Sequence, residues 1–113
     1  MSALTTHVLD TARGRPAAGV AITVYRASDG GWIQLGEGAT DADGRCRNLL
    51  PPDAPLAAGR YRLCFETGAW FHAEGIEAFH PDVNITFDVR QSGEHHHVPL
   101  LISPFGYTTY RGS

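Results

Sequence analysis

Three consecutive histidines, His95, His96 and His97, stand in a chain of 113 residues that carries six in all. Imidazole changes charge closer to neutral pH than any other side chain, which suits it to general acid–base work and to metal ligation. On a strand, neighbouring side chains point to opposite faces, so His95 and His97 share one face and His96 takes the other. Val98, Leu100 and Ile102 fall on the face of His96 and read as interior. His95 and His97 therefore point outward, beside Pro99, Leu101 and Ser103. Such a face suits a ligand or a second subunit, and equally a solvated histidine run. The outward pair could chelate Zn²⁺, but a closed site needs a third or fourth ligand. No cysteine pair or acidic motif at ligand spacing accompanies it, and no metal is expected.

Other polar residues lie far away in sequence. Thr5, His7 and Leu9 share one face of an amino-terminal strand, opposite Leu4, Thr6 and Val8. Taken singly, His7 reads as structural. Arg45 directly follows the Asp43-Gly44 turn, where a lone guanidinium is ordinarily a solvated charge. The run Tyr107-Thr108-Thr109-Tyr110-Arg111-Gly112-Ser113 has strand composition in a position that normally frays unless something ties it down. It is expected to be built into a site. Strand alternation puts Arg111 and Ser113 on one face and Tyr110 on the other. No nucleophile elbow, phosphate loop, dinucleotide fingerprint or HExxH pattern is present. The remaining chemistry is imidazole, guanidinium and hydroxyl, suited to activating water and holding an anion.

The elements that must position these groups are strands. Val20, Ile22 and Val24 alternate with Ala21, Thr23 and Tyr25. Tyr61, Leu63 and Phe65 do so within Arg60 to Glu66, and Val83, Ile85, Phe87 and Val89 within Val83 to Arg90. Each has an apolar and a mostly polar face, as a half-buried antiparallel strand requires. Weaker patterns cover Leu4 to Asp10, Trp32 to Glu37, Arg45 to Leu50, His95 to Ser103 and Tyr107 to Ser113, giving eight strands. Asp29-Gly30-Gly31 and Asp43-Gly44 supply tight turns, and Pro51, Pro52 and Pro55 mark a longer crossing. Thr67 to Gly75 breaks the rhythm and reads as a short helix capped by Thr67, with Trp70 and Phe71 packed on a sheet. The chain is thus one all-β sandwich or barrel domain over residues 1–113.

Composition limits the alternatives. A formal charge of −3 argues against a nucleic-acid groove or a polybasic membrane patch. No apolar stretch is long enough to span a bilayer. The first residues carry no basic stretch followed by an apolar run, so no export signal is read and the cytoplasm is the expected compartment. In that compartment Cys46 and Cys64 are expected as free thiols.

Four segments together carry a resemblance: Leu4-Thr5-Thr6-His7-Val8-Leu9-Asp10, Thr40-Asp41-Ala42-Asp43-Gly44-Arg45, His95-His96-His97-Val98-Pro99-Leu100-Leu101 and Tyr110-Arg111-Gly112-Ser113. With Ser103-Pro104-Phe105-Gly106-Tyr107 joining the last two, the chain resembles the transthyretin-like proteins over essentially its whole length. The closing Tyr-Arg-Gly-Ser is similar to the family's hydrolase branch rather than to its hormone carriers. The resemblance implies a transthyretin-like eight-stranded β-sandwich of two four-stranded sheets with one short helix. It also implies a homotetramer, a dimer of dimers, with active sites in the channel between dimers. The first, fourth, seventh and eighth strands would share one sheet. The implied reaction is hydrolysis of 5-hydroxyisourate, a purine-derived small molecule, to 2-oxo-4-hydroxy-4-carboxy-5-ureidoimidazoline in urate degradation, without metal or organic cofactor. The motif positions correspond to His7, Arg45, His97 and Ser113 as catalytic residues, with His7, Arg45, Tyr110 and Arg111 contacting substrate. His96 departs from the Tyr common in the family, but it faces the other way and is expected to matter little to chemistry. The competing expectation is a non-enzymatic carrier of small aromatic ligands.

Overall fold

A computed structural model describes residues 2–113. Two sheets face each other. One has the order β4 (Gly31–Ala39), β3 (Ala21–Ser28), β6 (Gly59–Phe65) and β7 (Val83–Val89), antiparallel throughout. The other is built on β1 (Leu4–Asp10), flanked by β8 (His96–Ser103) and then β9 (Gly106–Thr109). Two short segments, β2 (Arg15–Pro16) and β5 (Arg45–Cys46), share the remaining edge of β1. The sheet therefore holds the first, fourth, seventh and eighth strands expected, with β2 as an addition. The helix α1 (Thr67–Ala73) leads out of β6. Among the described residues no helix is long and apolar enough to cross a membrane.

The core lies between the sheets and follows the period-two patterns. Ile22 and Val24, Tyr61, Leu63 and Phe65, and Val83 and Val89 are buried from one sheet; Leu4, Val8, Val98, Leu100 and Ile102 are buried from the other. His96 joins them at 6% exposure, with Nδ1 3.1 Å from the Glu94 carbonyl. The interior side of β8 is thus the one its apolar residues indicate. Cys46 and Cys64 are both free, and burial pushes the Cys64 thiol up to about 11.

Three elements differ from the sequence reading. The strand expected over Arg45 to Leu50 is only Arg45–Cys46. Beyond it the chain turns to bury Leu49 and Leu50, and it passes so close to β4 that a side chain at Gly36 would strike the Leu49 backbone. Thr67 is not the helix cap: Glu66 holds that position with no side-chain cap bond. The Glu66 N–H still donates to the Ala21 carbonyl at 2.9 Å, which keeps that residue in line with β6, and the helix starts at Thr67, one residue earlier than expected.

The last strand also stops early. β8 and β9 pair Leu100 with Thr109, and His97 meets Gly112 in an isolated bridge of the same register. The ladder is interrupted opposite Pro99, which has no N–H to offer. The Thr109 hydroxyl takes the Pro99 carbonyl instead, at 2.7 Å, and the Gly112 N–H re-engages the His97 carbonyl at 2.8 Å.

Candidate active site

β1 and β8 run parallel, with Thr5 beside His97 and His7 beside Pro99. On the other edge of β1, His7 stands across from Arg45. Adjacent strands lie ~4.8 Å apart, so three segments remote in sequence put Thr5, His7, Arg45 and His97 on one outward sheet face. This parallel pairing sets Thr5 against His97 although the whole of the other sheet lies between them in sequence. A concavity of about 200 Å³ opens there, lined by Thr5, Thr6, Arg45, Arg47, His95, His97 and Ser113.

Each side chain is held by identifiable bonds. Gly44, at φ +78°, makes the tight turn before β5 and donates its N–H to the Asp41 carbonyl at 2.9 Å. Asp41 Oδ1 accepts the N–H groups of Arg45 and Asp43, both at 2.9 Å. Those bonds, that of Arg45 first, hold the Asp41 carboxyl below its ordinary range and fix the start of β5. His7 Nε2 lies 2.9 Å from the Asp43 carbonyl, which ties its ring to the same turn. Since a carbonyl only accepts, His7 Nε2 carries a proton in that bond.

His97 is partly buried, with Nδ1 2.8 Å from the Thr5 hydroxyl. Burial lowers its proton affinity most, and Arg45, His7 and His95 lower it further; a bond to the Thr5 backbone opposes them. The ring is therefore neutral at neutral pH. A Cβ on Gly112 would come 2.6 Å from His97 Cδ2, so only glycine lets the tail lie against the ring. A neutral imidazole beside a guanidinium in a partly enclosed concavity can take a proton from water while the cation holds an anionic oxygen.

Of the residues expected in the site, Arg45, His97 and Ser113 line the concavity, and His7 flanks Arg45. Tyr110 and Arg111 do not line it. They border a second concavity of about 250 Å³ with Ile85, Phe87 and His96, which His97 also touches. Arg111 is drawn away by Glu94, at 3.1 Å. Strand alternation would place Arg111 beside Ser113, but the two line different concavities beyond the end of β9 at Thr109. His95, expected outward beside His97, also lines the concavity, and so do Thr5 and Arg47, to which the sequence assigns no role. Alternation from His7 and Arg45 points to Thr5 and Arg47, but nothing in sequence separates such neighbours from solvated residues. Among the described residues no group of three or more His, Cys, Asp or Glu side chains converges to hold a metal ion.

Comparison with known proteins agrees with this fold. A 5-hydroxyisourate hydrolase from Caulobacter vibrioides is 52% identical over 118 residues, covering 100% of both chains. The solved structure of Klebsiella pneumoniae 5-hydroxyisourate hydrolase matches with TM-score 0.87 at 42% identity, again over 100% of each chain. Transthyretin from Sparus aurata matches with TM-score 0.91 at 38% identity, over 99% of this chain and 97% of that one. The profile of the HIUase/Transthyretin family matches residues 4–112. With this degree of identity over its full length, the chain belongs to the HIUase/Transthyretin family.

Proposed function

We propose that this protein hydrolyses 5-hydroxyisourate, opening its six-membered ring to give 2-oxo-4-hydroxy-4-carboxy-5-ureidoimidazoline. The observation that carries the reading is the meeting of Arg45, His97 and Ser113 in one concavity, in a chain 52% identical to a hydrolase of that name. In the proposed mechanism His97, with His7 beside the same face, orients and deprotonates the water that attacks the ring carbonyl at C6. Arg45 holds the electron-rich ring and stabilises negative charge as the carbonyl carbon becomes tetrahedral. One preorganised donor of this kind is worth ~3 kcal/mol in other acyl-transfer sites. An imidazolium formed on the way then protonates the departing ring nitrogen, and the Ser113 hydroxyl positions water or substrate. No metal or organic cofactor enters the scheme.

The concavity is open on its outer side, which supports a homotetramer in which a second copy covers it. In that assembly Tyr110 and Arg111 contact substrate from the rim. The deciding experiment follows the ultraviolet decay of freshly generated 5-hydroxyisourate with and without protein, repeated with chelator. Accelerated decay that is indifferent to chelator is the expected result. Decay at the spontaneous rate, with tight binding of thyroid-hormone-like ligands, would replace this reading with the carrier.

A further inference from the structure

Thr5 is only 8% exposed and lies between two imidazoles. Its Oγ1 is 2.8 Å from His97 Nδ1 and 3.2 Å from His95 Nε2. A hydroxyl has one proton and two lone pairs. At most one of the two ring nitrogens can therefore accept from Thr5, and any other bond to it must be donated by the ring. The tautomers of His95 and His97 are coupled through this oxygen.

Which way the coupling runs follows from what the proposed hydrolysis requires, and the inference rests on that reading. With Nδ1 occupied by Thr5, only His97 Nε2 is left to meet a water. A neutral imidazole with a lone pair on Nε2 carries its proton on Nδ1. That proton is then donated to Thr5 Oγ1, and the Thr5 hydroxyl is free to donate to His95 Nε2, leaving His95 protonated at Nδ1. The other groups facing the ring are His7 from β1, Arg45 from β5 and Arg47 from the segment after it. Arg45 repels a second proton on the ring, and neither arginine can accept the one on Nδ1.

We infer that Thr5 is a positioning residue, whose hydroxyl holds His97 as the Nδ1–H tautomer with His95 as its second partner, so that His97 Nε2 is the atom that takes the proton from water. His95 thereby acts on the tautomer of His97 through Thr5.

The test is the ring ¹⁵N spectrum of the full-length labelled protein without substrate, read beside kinetics. His97 should show a protonated Nδ1 and an unprotonated Nε2, and His95 the same pattern. Thr5→Val should release His97 to the opposite tautomer and lower kcat by ~10²-fold while KM stays nearly unchanged. Loss of tautomer control costs ~10⁴-fold in a serine-protease triad, and a smaller loss is expected here because the variant ring can still sample the correct form. Thr5→Ser should restore both spectrum and kcat. A wild-type His97 protonated at Nε2, or a Thr5→Val protein with unaltered spectrum and kcat, overturns the inference. Should Thr5→Val fail to fold, the wild-type and Thr5→Ser spectra still decide it. Because the spectrum needs no turnover, an Nδ1–H ring in a protein that leaves 5-hydroxyisourate untouched refutes the hydrolase reading alone.

Discussion

The backbone of Gly112 lies against the imidazole of His97: its N–H donates to the His97 carbonyl at 2.8 Å, and a Cβ there would stand 2.6 Å from the ring. The tail thus supplies a wall for the ring as well as Ser113 for the concavity. Gly112→Ala should push the ring or the tail aside and lower kcat/KM by ~10²-fold, the cost of about 1 Å of misplacement. The melting temperature should change little, because the contact is at the rim of the sheet. Removing Arg111-Gly112-Ser113 should impair turnover further while the sandwich still folds. Steady-state kinetics beside thermal melts would check both, and normal turnover by the shortened chain would remove the tail from the mechanism.

The acid limb of the pH profile should report His97. Only the neutral ring takes a proton, so kcat/KM rises with pH through the ring's own pKa. Burial, Arg45, His7 and His95 all lower that pKa, against the Thr5 backbone. Half-maximal activity on the acid side is therefore expected below the 6.5 of an unperturbed imidazole. His97→Asn should remove ~10²- to 10⁴-fold in kcat with the fold intact. A limb at or above 6.5, or near-normal turnover by the variant, would reject His97 as the base.

Arg45→Ala should lower kcat and raise KM together, since contacts in both ground and transition state are lost. A loss of ~10²-fold in kcat corresponds to one preorganised donor. Asp41→Ala should shift activity in the same direction by a smaller factor, because Asp41 Oδ1 holds the N–H groups that place Arg45. An Asp41→Ala enzyme as active as the parent would show that the turn holds without its carboxylate.

Thr40 offers a test of the fold away from the site. It is 5% exposed, and its hydroxyl donates to the Ala17 carbonyl at 2.6 Å and accepts the Val20 N–H at 2.9 Å. Thr40→Val keeps the shape and leaves both backbone groups without that partner. Each unsatisfied buried group costs about 1–3 kcal/mol. The urea midpoint should fall accordingly at fixed protein concentration, with turnover per folded molecule unchanged.

Much of this molecule was legible before any coordinates, and the reasons are local. Period-two apolarity marked Ile22 and Val24, Leu63 and Phe65, and Val98, Leu100 and Ile102 as interior, because a residue's face on a strand is set by its parity alone. The same parity put His97 outward and His96 inward, and the latter is 6% exposed. The quoted motifs indicated His7, Arg45, His97 and the tail as one set. Parity could not say where a strand stops. Arg45–Cys46 and Gly106–Thr109 end where the chain meets Leu49 packing and the missing N–H of Pro99, and these are consequences of neighbouring segments.

Residue types and spacing alone determined an all-β sandwich or barrel, its buried faces, and a chemistry of imidazole and guanidinium. They left open which strands would be neighbours, because hydrogen-bonded pairing is a contact between segments and carries no mark in either one. The parallel pairing of β1 with β8 set Thr5 against His97, and the pairing of β5 with β1 set Arg45 against His7. Tertiary structure also decided that Arg111 turns to Glu94 while Ser113 stays, and that one hydroxyl stands between two imidazoles. Distances of a few ångströms between groups some ninety residues apart exist only once both sheets have closed on their common core.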